Sequence, residues 1–432
     1  MRIVRTHEAS FEEMFRRIQN RGIMVDDEIW KVVKEILDAV ALRGDEALFD
    51  YTLKFDGHAV SADNVELSGR QKAEALTKVD AREREVLELA AERIERFHRR
   101  QVMEGWLSAD EEGVQLGQRV TPLARVGIYA PGGLAAYPST VLMASIPARI
   151  AGVGELILAS PVRADQMNPL IVAAAVIGGV DRIFRIGGAQ AVAALAFGTA
   201  SVPQVDKIVG PGNAYVTLAK KMVFGQVGID MIAGPSEILV IADGGADPSF
   251  VAADLLSQAE HDELSSAILI TPEETLAGRV AAQMERQLER LERRSVAECS
   301  LRDYGAAIVT RDLDEAASVA NRFAPEHLEL MVENPRQLLE KIRNAGAVFL
   351  GYHTPEIMGD YIAGPNHILP TGGTARFASP LSVYDFLKRT SVLSFSALSL
   401  AKYGPQAERF ARMEGLDGHG RAVAIRLAQK KP

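Results

Sequence analysis

Gln258 and His261 stand three residues apart in the run Ser257-Gln258-Ala259-Glu260-His261-Asp262, on a stretch whose helix begins near Pro248. At that spacing the two side chains share one helix face, where they can hold a metal ion or simply form a solvated surface. In Ala324-Pro325-Glu326-His327-Leu328 the proline ends a helix, and Glu326 and His327 stand where a strand begins. A carboxylate next to an imidazole suits paired acid–base work, because the imidazole titrates near neutrality. The same pair also occurs at strand edges with no chemical role. A third segment, 359–367 (GDYIAGPNH), is a loop too elaborate for a plain connection, and it carries Asp360 and His367. A fourth, 414–419 (EGLDGH), places Glu414 and His419 just before the last helical stretch. Nitrogen and oxygen donors of these kinds suit zinc, although a carboxamide oxygen is an uncommon ligand. Only the fold can bring the four segments together.

The elements that must position them fall into two textures. Residues 1 to about 110 read as mostly helical. Val86, Leu89, Ala90, Ile94 and Phe97 recur at helical spacing among charges, and 27–51 behaves similarly. From about 120, short β-rich runs alternate with Ala-rich helical stretches: 126–130 (VGIYA), 155–159 (ELILA), 182–186 (RIFRI), 206–210 (DKIVG) and 237–242 (EILVIA). A second set follows at 266–271, 306–310, 327–332 and 347–351, and a last candidate strand at 391–396 (SVLSFS) precedes a helix-like basic tail. Strand–turn–helix alternation of this kind implies parallel strands with crossover helices. The expected fold is α/β, with two Rossmann-like domains that are incomplete because no GxGxxG fingerprint is present. The expected division is an N-terminal helical segment over 1–25, a discontinuous first α/β domain over 26–125 plus 236–380, a second α/β domain over 126–235, and a C-terminal tail over 381–432.

Three other glycine turns close predicted strands: Ala130-Pro131-Gly132-Gly133, Gly187-Gly188-Ala189-Gln190 and Gly210-Pro211-Gly212-Asn213. The carboxyl edge of an open α/β sheet is where ligands bind, and glycine permits close backbone approach there. Tyr129, Gln190 and Asn213 would then present polar groups to the crevice. Glycines also make ordinary turns in every such fold, so this pattern supports a nucleotide or small-ligand crevice and no more.

At 432 residues the chain exceeds what one core usually organises. The net charge of −9 is interspersed, with no concentrated basic surface of the kind that grips nucleic acid. Cys299 is the only cysteine, which excludes an internal disulfide and a multi-cysteine zinc site and fits a reducing cytoplasm. The charged N-terminus lacks the apolar core of a signal peptide. The most apolar stretch, 171–180, is far short of the roughly 20 residues that span a bilayer.

These segments together resemble the histidinol dehydrogenase family. The likeness rests on 255–262 (LLSQAEHD), 323–330 (FAPEHLEL), 359–377 (GDYIAGPNHILPTGGTARF) and EGL followed by His419, together with GIYAPGG, GGAQAVAALAFGT, IVGPGNAYV and AGPSEILVIAD. It covers nearly the whole chain from 43–48 (RGDEAL) onward. The resemblance implies one zinc ion per subunit on Gln258, His261, Asp360 and His419, and a catalytic pair in Glu326 and His327. It implies substrate contacts from Ser236, Glu414 and His367 as well as from His327 and the metal ligands. It places NAD contacts on Tyr129, Gln190 and Asn213. It also implies a homodimer in which the tail, with Glu414 and His419, completes the partner's site.

The family oxidises L-histidinol to L-histidinaldehyde and then to L-histidine with two NAD⁺, the final step of histidine biosynthesis. By this resemblance zinc holds the imidazole and amino nitrogens of the substrate, His327 removes the hydroxyl proton, and Glu326 activates water. Many aldehyde oxidations instead use a nucleophilic cysteine, but Cys299 lies outside every motif. Two alternatives remain at this point. One is a related zinc and NAD dehydrogenase of another small polar alcohol, against which Glu414 argues by favouring a cationic amine. The other is a zinc hydrolase, which would have no use for NAD.

Overall fold

A computed structural model describes residues 1–21, 27–132, 137–162 and 166–428. The chain forms two compact units. The larger takes Met1–Gln101 and Leu123–Asp385; the smaller takes Val102–Pro122 and the chain from Phe386 onward.

The larger unit holds two parallel sheets. Six strands lie in the order Arg2–Arg5, Gly305–Val309, Ser266–Thr271, Glu237–Ala242, His327–Met331 and Ala347–Leu350. The inner strands are mostly apolar on both sides because both faces are covered. Leu239, Ile241, Ile268, Ile270, Leu328 and Leu330 face one way, toward Phe11, Met14 and Ile18 of the helix Ala9–Gln19 and toward Ala316, Ala320 and Phe323 of the helix Leu313–Phe323. The alternate residues Ile238, Val240, Ala267 and Leu269 pack on the helices Pro248–Ala259 and Glu274–Leu288.

The second sheet has five parallel strands in the order Arg182–Phe184, Glu155–Ala159, Arg125–Tyr129, Lys207–Val209 and Gly228–Ile229. The helices Gly188–Phe197 and Ala214–Val223 cover one face. Val33, Ile36, Leu37 and Val40 of the helix Asp27–Arg43 and Ala47 and Leu48 of the helix Asp45–Asp56 join that same core. These two N-terminal helices, grouped with 236–380 in the sequence reading, thus pack over the five-stranded sheet.

The smaller unit is an antiparallel sheet, Leu387–Ser394, Gln115–Pro122 and Trp106–Ala109, with the helices Ala397–Met413 and Asp417–Ala428 packed on each other. The tail strand therefore takes its partner from residues 115–122, well before position 381. The N-terminus, read as helical, opens instead as the edge strand Arg2–Arg5, registered on Ala306–Val309. No helix among the described residues is long and apolar enough to cross a membrane.

Candidate active site

The helix Leu313–Phe323 ends on Ala324, whose φ of 48° is the only positive value among the described non-glycine residues. A side chain in that conformation costs about 1 kcal/mol or more, and the surrounding packing holds it. The reversal delivers Glu326 and His327 to the N-terminal edge of the six-stranded sheet, where His327 lies in register with Ile238. Parallel sheets ordinarily bind ligands at the opposite, carboxyl edge.

Both ring nitrogens of His327 have partners. Nδ1 lies 3.0 Å from the backbone oxygen of Glu237, so in the neutral ring it carries the proton. Nε2 faces Asp360 Oδ1 at 3.3 Å and donates to that carboxylate when the ring is protonated. Burial opposes a charged ring here, but Glu326, Asp360 and Glu356 outweigh it and hold the pKa of His327 well above the ordinary value. The Glu326 carboxylate lies 3.6 Å from Nδ1, and that of Glu356 lies 3.7 Å away.

Glu326 is itself buried, and burial pushes its pKa to about 8. Its Oε2 accepts the Glu237 N–H at 2.8 Å. Glu237 accepts in turn from Arg21 Nη2 at 2.6 Å and from the Gly372 N–H at 3.1 Å. Behind His327 lies a further acid cluster. Ser257 Oγ donates to Glu356 Oε1 at 2.7 Å, and the Glu356 N–H donates to Glu329 Oε1 at 2.8 Å. Burial pushes the carboxyl of Glu356 to about 7 and that of Asp254, which interacts with Glu329, to about 6. Glu329 Oε2 is buried with no donor in reach, and burial first, then Asp254 and Glu356, raise its pKa well above the usual range. Such a carboxyl carries a proton.

Gln258 is buried in the last turn of the helix Pro248–Ala259. The helix stops one residue later, so His261 lies past its end and not on a continuing face. Its N–H bonds back to the Gln258 oxygen at 3.2 Å, and its ring interacts with the Asp360 carboxylate. Asp360 sits in a short helix, Glu356–Tyr361, where the glycine-rich sequence suggested a loop. Burial alone would raise its pKa; the hydrogen bond and charge of His327 reverse that, and the net shift is downward. His367 Nδ1 lies 2.8 Å from the Asp360 backbone oxygen, leaving Nε2 to accept from Thr140 Oγ1 at 3.4 Å, and burial keeps the ring neutral. Asn366 Nδ2 donates to the Met143 oxygen at 2.7 Å. These bonds moor the 363–367 segment to the helix Pro138–Ala151, the crossover that follows the strand Arg125–Tyr129.

Ser236 precedes the strand of Glu237, half-buried. Among the described residues no three His, Cys, Asp or Glu side chains enclose a metal site by themselves. His419 lies inside the final helix Asp417–Ala428, and Glu414 caps the helix before it. Both are exposed and belong to the smaller unit.

In the five-stranded sheet the chain moves outward from Arg125–Tyr129 and then returns to Lys207–Val209 on the other side. That reversal is a topological switch point, and the carboxyl ends of the strands at such a point are where open α/β sheets bind ligands. Gly210, at φ 112°, comes so close that a Cβ would meet the Tyr129 backbone oxygen at 2.1 Å. A buried ion pair pins it: Lys220 Nζ donates to the Gly210 oxygen at 2.8 Å, Asp230 Oδ2 accepts its N–H at 2.7 Å, and the two side chains meet at 2.5 Å. The buried Tyr129 hydroxyl accepts the Gly188 N–H at 3.2 Å, and burial pushes its pKa to about 12, so it stays a phenol. Gln190 is buried. Asn213 Oδ1 caps the helix Ala214–Val223 through the Val216 N–H at 3.1 Å, a structural duty in its own right. Gly133 of the first turn lies outside the described residues.

A family model for histidinol dehydrogenase matches residues 19–427. The chain belongs to the histidinol dehydrogenase family. It is 55% identical over 430 residues to the histidinol dehydrogenase of Geobacter sulfurreducens, covering 99% of this chain and 100% of that one. To the Aquifex aeolicus enzyme of the same name it is 51% identical, covering 98% of each. The fold matches the crystal structure of histidinol dehydrogenase from Elizabethkingia anophelis with a TM-score of 0.93 at 37% identity, covering 99% of this chain and 98% of that one.

Several residues of this histidinol dehydrogenase family member that build the site escaped the sequence reading. Glu237 and Glu329 each interrupt a strand that is apolar and buried on both faces, which is the signal that could have found them. Arg21, Glu356 and the Lys220–Asp230 pair carry no local signature. A surface hollow of about 480 Å³ lies at the N-terminal edge of the five-stranded sheet, between Arg125, Gln204 and Phe224. Its polar groups are engaged structurally, Arg125 with Glu155 and Asp206 with the Ala124 and Arg125 N–H groups.

Proposed function

We propose that the protein oxidises L-histidinol through L-histidinaldehyde to L-histidine, with zinc and NAD⁺, as the last step of histidine biosynthesis. The observation that carries this reading is the arrangement of His327 and Glu326: one imidazole held between the Glu237 backbone oxygen and the Asp360 carboxylate, next to one carboxyl whose burial brings its pKa to about 8. An ordinary glutamate is a weak base near neutrality; one raised that far is a stronger base in its ionised form, which gains population as pH rises toward 8.

In its neutral form, favoured as pH rises, His327 takes the hydroxyl proton of the alcohol at Nε2, and the Glu237 backbone oxygen steadies the resulting imidazolium through Nδ1. Glu326 takes a proton from water as the water adds to the aldehyde, and the His327 imidazolium gives its proton to the aldehyde oxygen, leaving a hydrate and a neutral ring. His327 then removes a hydroxyl proton from the hydrate in the second oxidation. Bound NAD⁺ would supply the hydride acceptor that no side chain can provide. Ser236, His367 and Glu414 are the substrate contacts of this scheme, with Glu414 suited to the substrate's ammonium group.

The donor chemistry fits zinc. Gln258 and His261 leave the same helix end, and Asp360 interacts with His261, giving N and O ligands from the larger unit. His419 is exposed on the smaller unit, and we assign it as the fourth ligand, supplied with Glu414 by the partner in a homodimer. Bound zinc would supply Lewis-acid orientation of the substrate. The switch-point crevice with Tyr129, Gln190 and Asn213 fits a dinucleotide, and on this reading residues 126–235 serve as the NAD domain and 381–432 as the exchanged tail. A cytoplasmic location accords with this chemistry.

The test is NADH formation at 340 nm from L-histidinol and the purified, zinc-loaded protein. About two NADH per histidinol, lost on chelation and restored by zinc, is the expected result. Turnover of a different alcohol and none of histidinol would overturn the substrate assignment.

A further inference from the structure

Beside the glycine turns lies one charged group with no role so far. Asp56 ends the helix Asp45–Asp56, and its half-buried carboxylate meets the start of the helix Gly188–Phe197. The Gly187 N–H points to it, and Gln190 Nε2 lies 3.5 Å from its Oδ2. The next amide, Gly188 N–H, is taken by the Tyr129 hydroxyl. In sheets that carry the GxGxxG fingerprint, such leading amides hold the pyrophosphate of the dinucleotide. Here the Tyr129 hydroxyl takes one of these amides and the Asp56 carboxylate faces the other.

That substitution changes what the turn can recognise. A pyrophosphate placed here would meet an acid instead of an amide cradle. A carboxylate accepts hydrogen bonds from hydroxyls, and the neighbouring hydroxyls of a dinucleotide are the 2′ and 3′ groups of its ribose. Burial, opposed by the Gly187 N–H, pushes the Asp56 carboxyl to about 6, still low enough for ionisation at neutral pH. No lysine or arginine among the described residues acts on it to balance an incoming phosphate. We propose that Asp56 reads the adenosine ribose of the bound dinucleotide through its 2′- and 3′-hydroxyls and thereby rejects a ribose carrying a 2′-phosphate.

This inference rests on the reading of the switch-point crevice as the NAD site. The test measures Kd for NAD⁺ and NADP⁺ by titration calorimetry on the zinc-loaded, full-length protein without substrate, with turnover on each cofactor as a second readout. The unsubstituted protein should bind NADP⁺ at least about 100-fold more weakly than NAD⁺, as expected when like charges are brought together. Asp56→Asn keeps an acceptor for Gly187 and removes the charge; the ratio should shrink about 10-fold or more, mainly by tighter NADP⁺ binding. Asp56→Ser serves the same purpose if the amide variant does not fold. Equal affinities in the unsubstituted protein, or a ratio unmoved in a folded variant, would overturn the role of Asp56 while leaving the NAD site standing. Failure of the unsubstituted protein to bind either dinucleotide would overturn the NAD reading itself, and this inference with it.

Discussion

Glu326 and Glu237 exchange hydrogen bonds: each carboxylate accepts the other's backbone N–H, at 2.8 Å and 3.1 Å. The reciprocal pair locks the Glu326–His327 turn to the strand Glu237–Ala242 and aims the backbone oxygen of Glu237 at His327. It places two acids together in the interior, and the arrangement depends on Arg21, whose side chain is 3% exposed and reaches Glu237 at 2.6 Å. Arg21 also donates to the Ile18 and Leu264 oxygens, so one guanidinium ties the N-terminal segment to the floor of the site.

Arg21→Met removes that cation and keeps most of its volume. Breaking one partner of a buried pair leaves an uncompensated charge and costs about 3–5 kcal/mol. Urea unfolding should report a loss of that order, and the surviving folded protein should turn over more slowly because Glu326 has lost its fixed frame. A variant as stable as the parent would mean that the pair contributes nothing net.

Glu326→Gln separates catalysis from stability. Burial raises the folded-state pKa of Glu326 to about 8, whereas the unfolded chain ionises at an ordinary glutamate value. A group raised on folding contributes stability that is complete below the unfolded pKa and is lost as pH climbs toward the folded one. Glutamine cannot ionise, so the variant should gain on its parent between about pH 5 and pH 8, by about 2–4 kcal/mol at the upper end, and then run parallel. Melting curves across that range test the sign. In activity, the second oxidation should suffer more than the first, because only it needs activated water; equal loss in both would remove that role.

His327→Asn should slow both oxidations by about 10²–10⁴-fold, the usual worth of a general base, with histidinol affinity largely kept. Single-turnover measurements with histidinol and with histidinaldehyde separate the steps. Cys299→Ser is the matching control: Cys299 lies in the peripheral helix Arg294–Tyr304, and its loss should leave both rates unchanged.

Local chemistry made much of this legible. The parallel strands between 125 and 350 that were read as apolar runs fall on or within a residue or two of their expected places, whereas Gln115–Pro122 was not foreseen and Leu387–Ser394 begins four residues before the expected 391–396. Arg2–Arg5 escaped because four residues, two of them arginines, carry no period, and only its register on the distant Ala306–Val309 makes it a strand. The packing of Asp27–Arg43 over the five-stranded sheet is likewise a choice among apolar partners that amphipathicity cannot make. In the site, Glu326, His327, Asp360 and His367 were legible and meet as neighbours. Glu237 was not, because a buried acid makes sense only with its partner, and Arg21 lies 216 residues away.

The exchanged tail makes a sharper demand. If His419 and Glu414 act on the partner's site, each site draws Glu326 from one subunit and His419 from the other. Glu326→Gln and His419→Asn proteins, each impaired in forming histidine alone, should then rescue each other in that overall reaction when unfolded together and reassembled. In a mixed dimer one site collects both substitutions and the other collects none. Half of a statistical population is mixed and half of its sites are intact, so activity should recover to about a quarter of the parent's. If the tail serves its own subunit, every site in the mixed dimer carries one substitution and the mixture stays impaired. Zinc content gives a second readout: the His419→Asn protein alone should lose its metal, and the reassembled mixture should regain it in the intact sites. Full zinc occupancy in the His419→Asn protein would remove His419 from the ligand set.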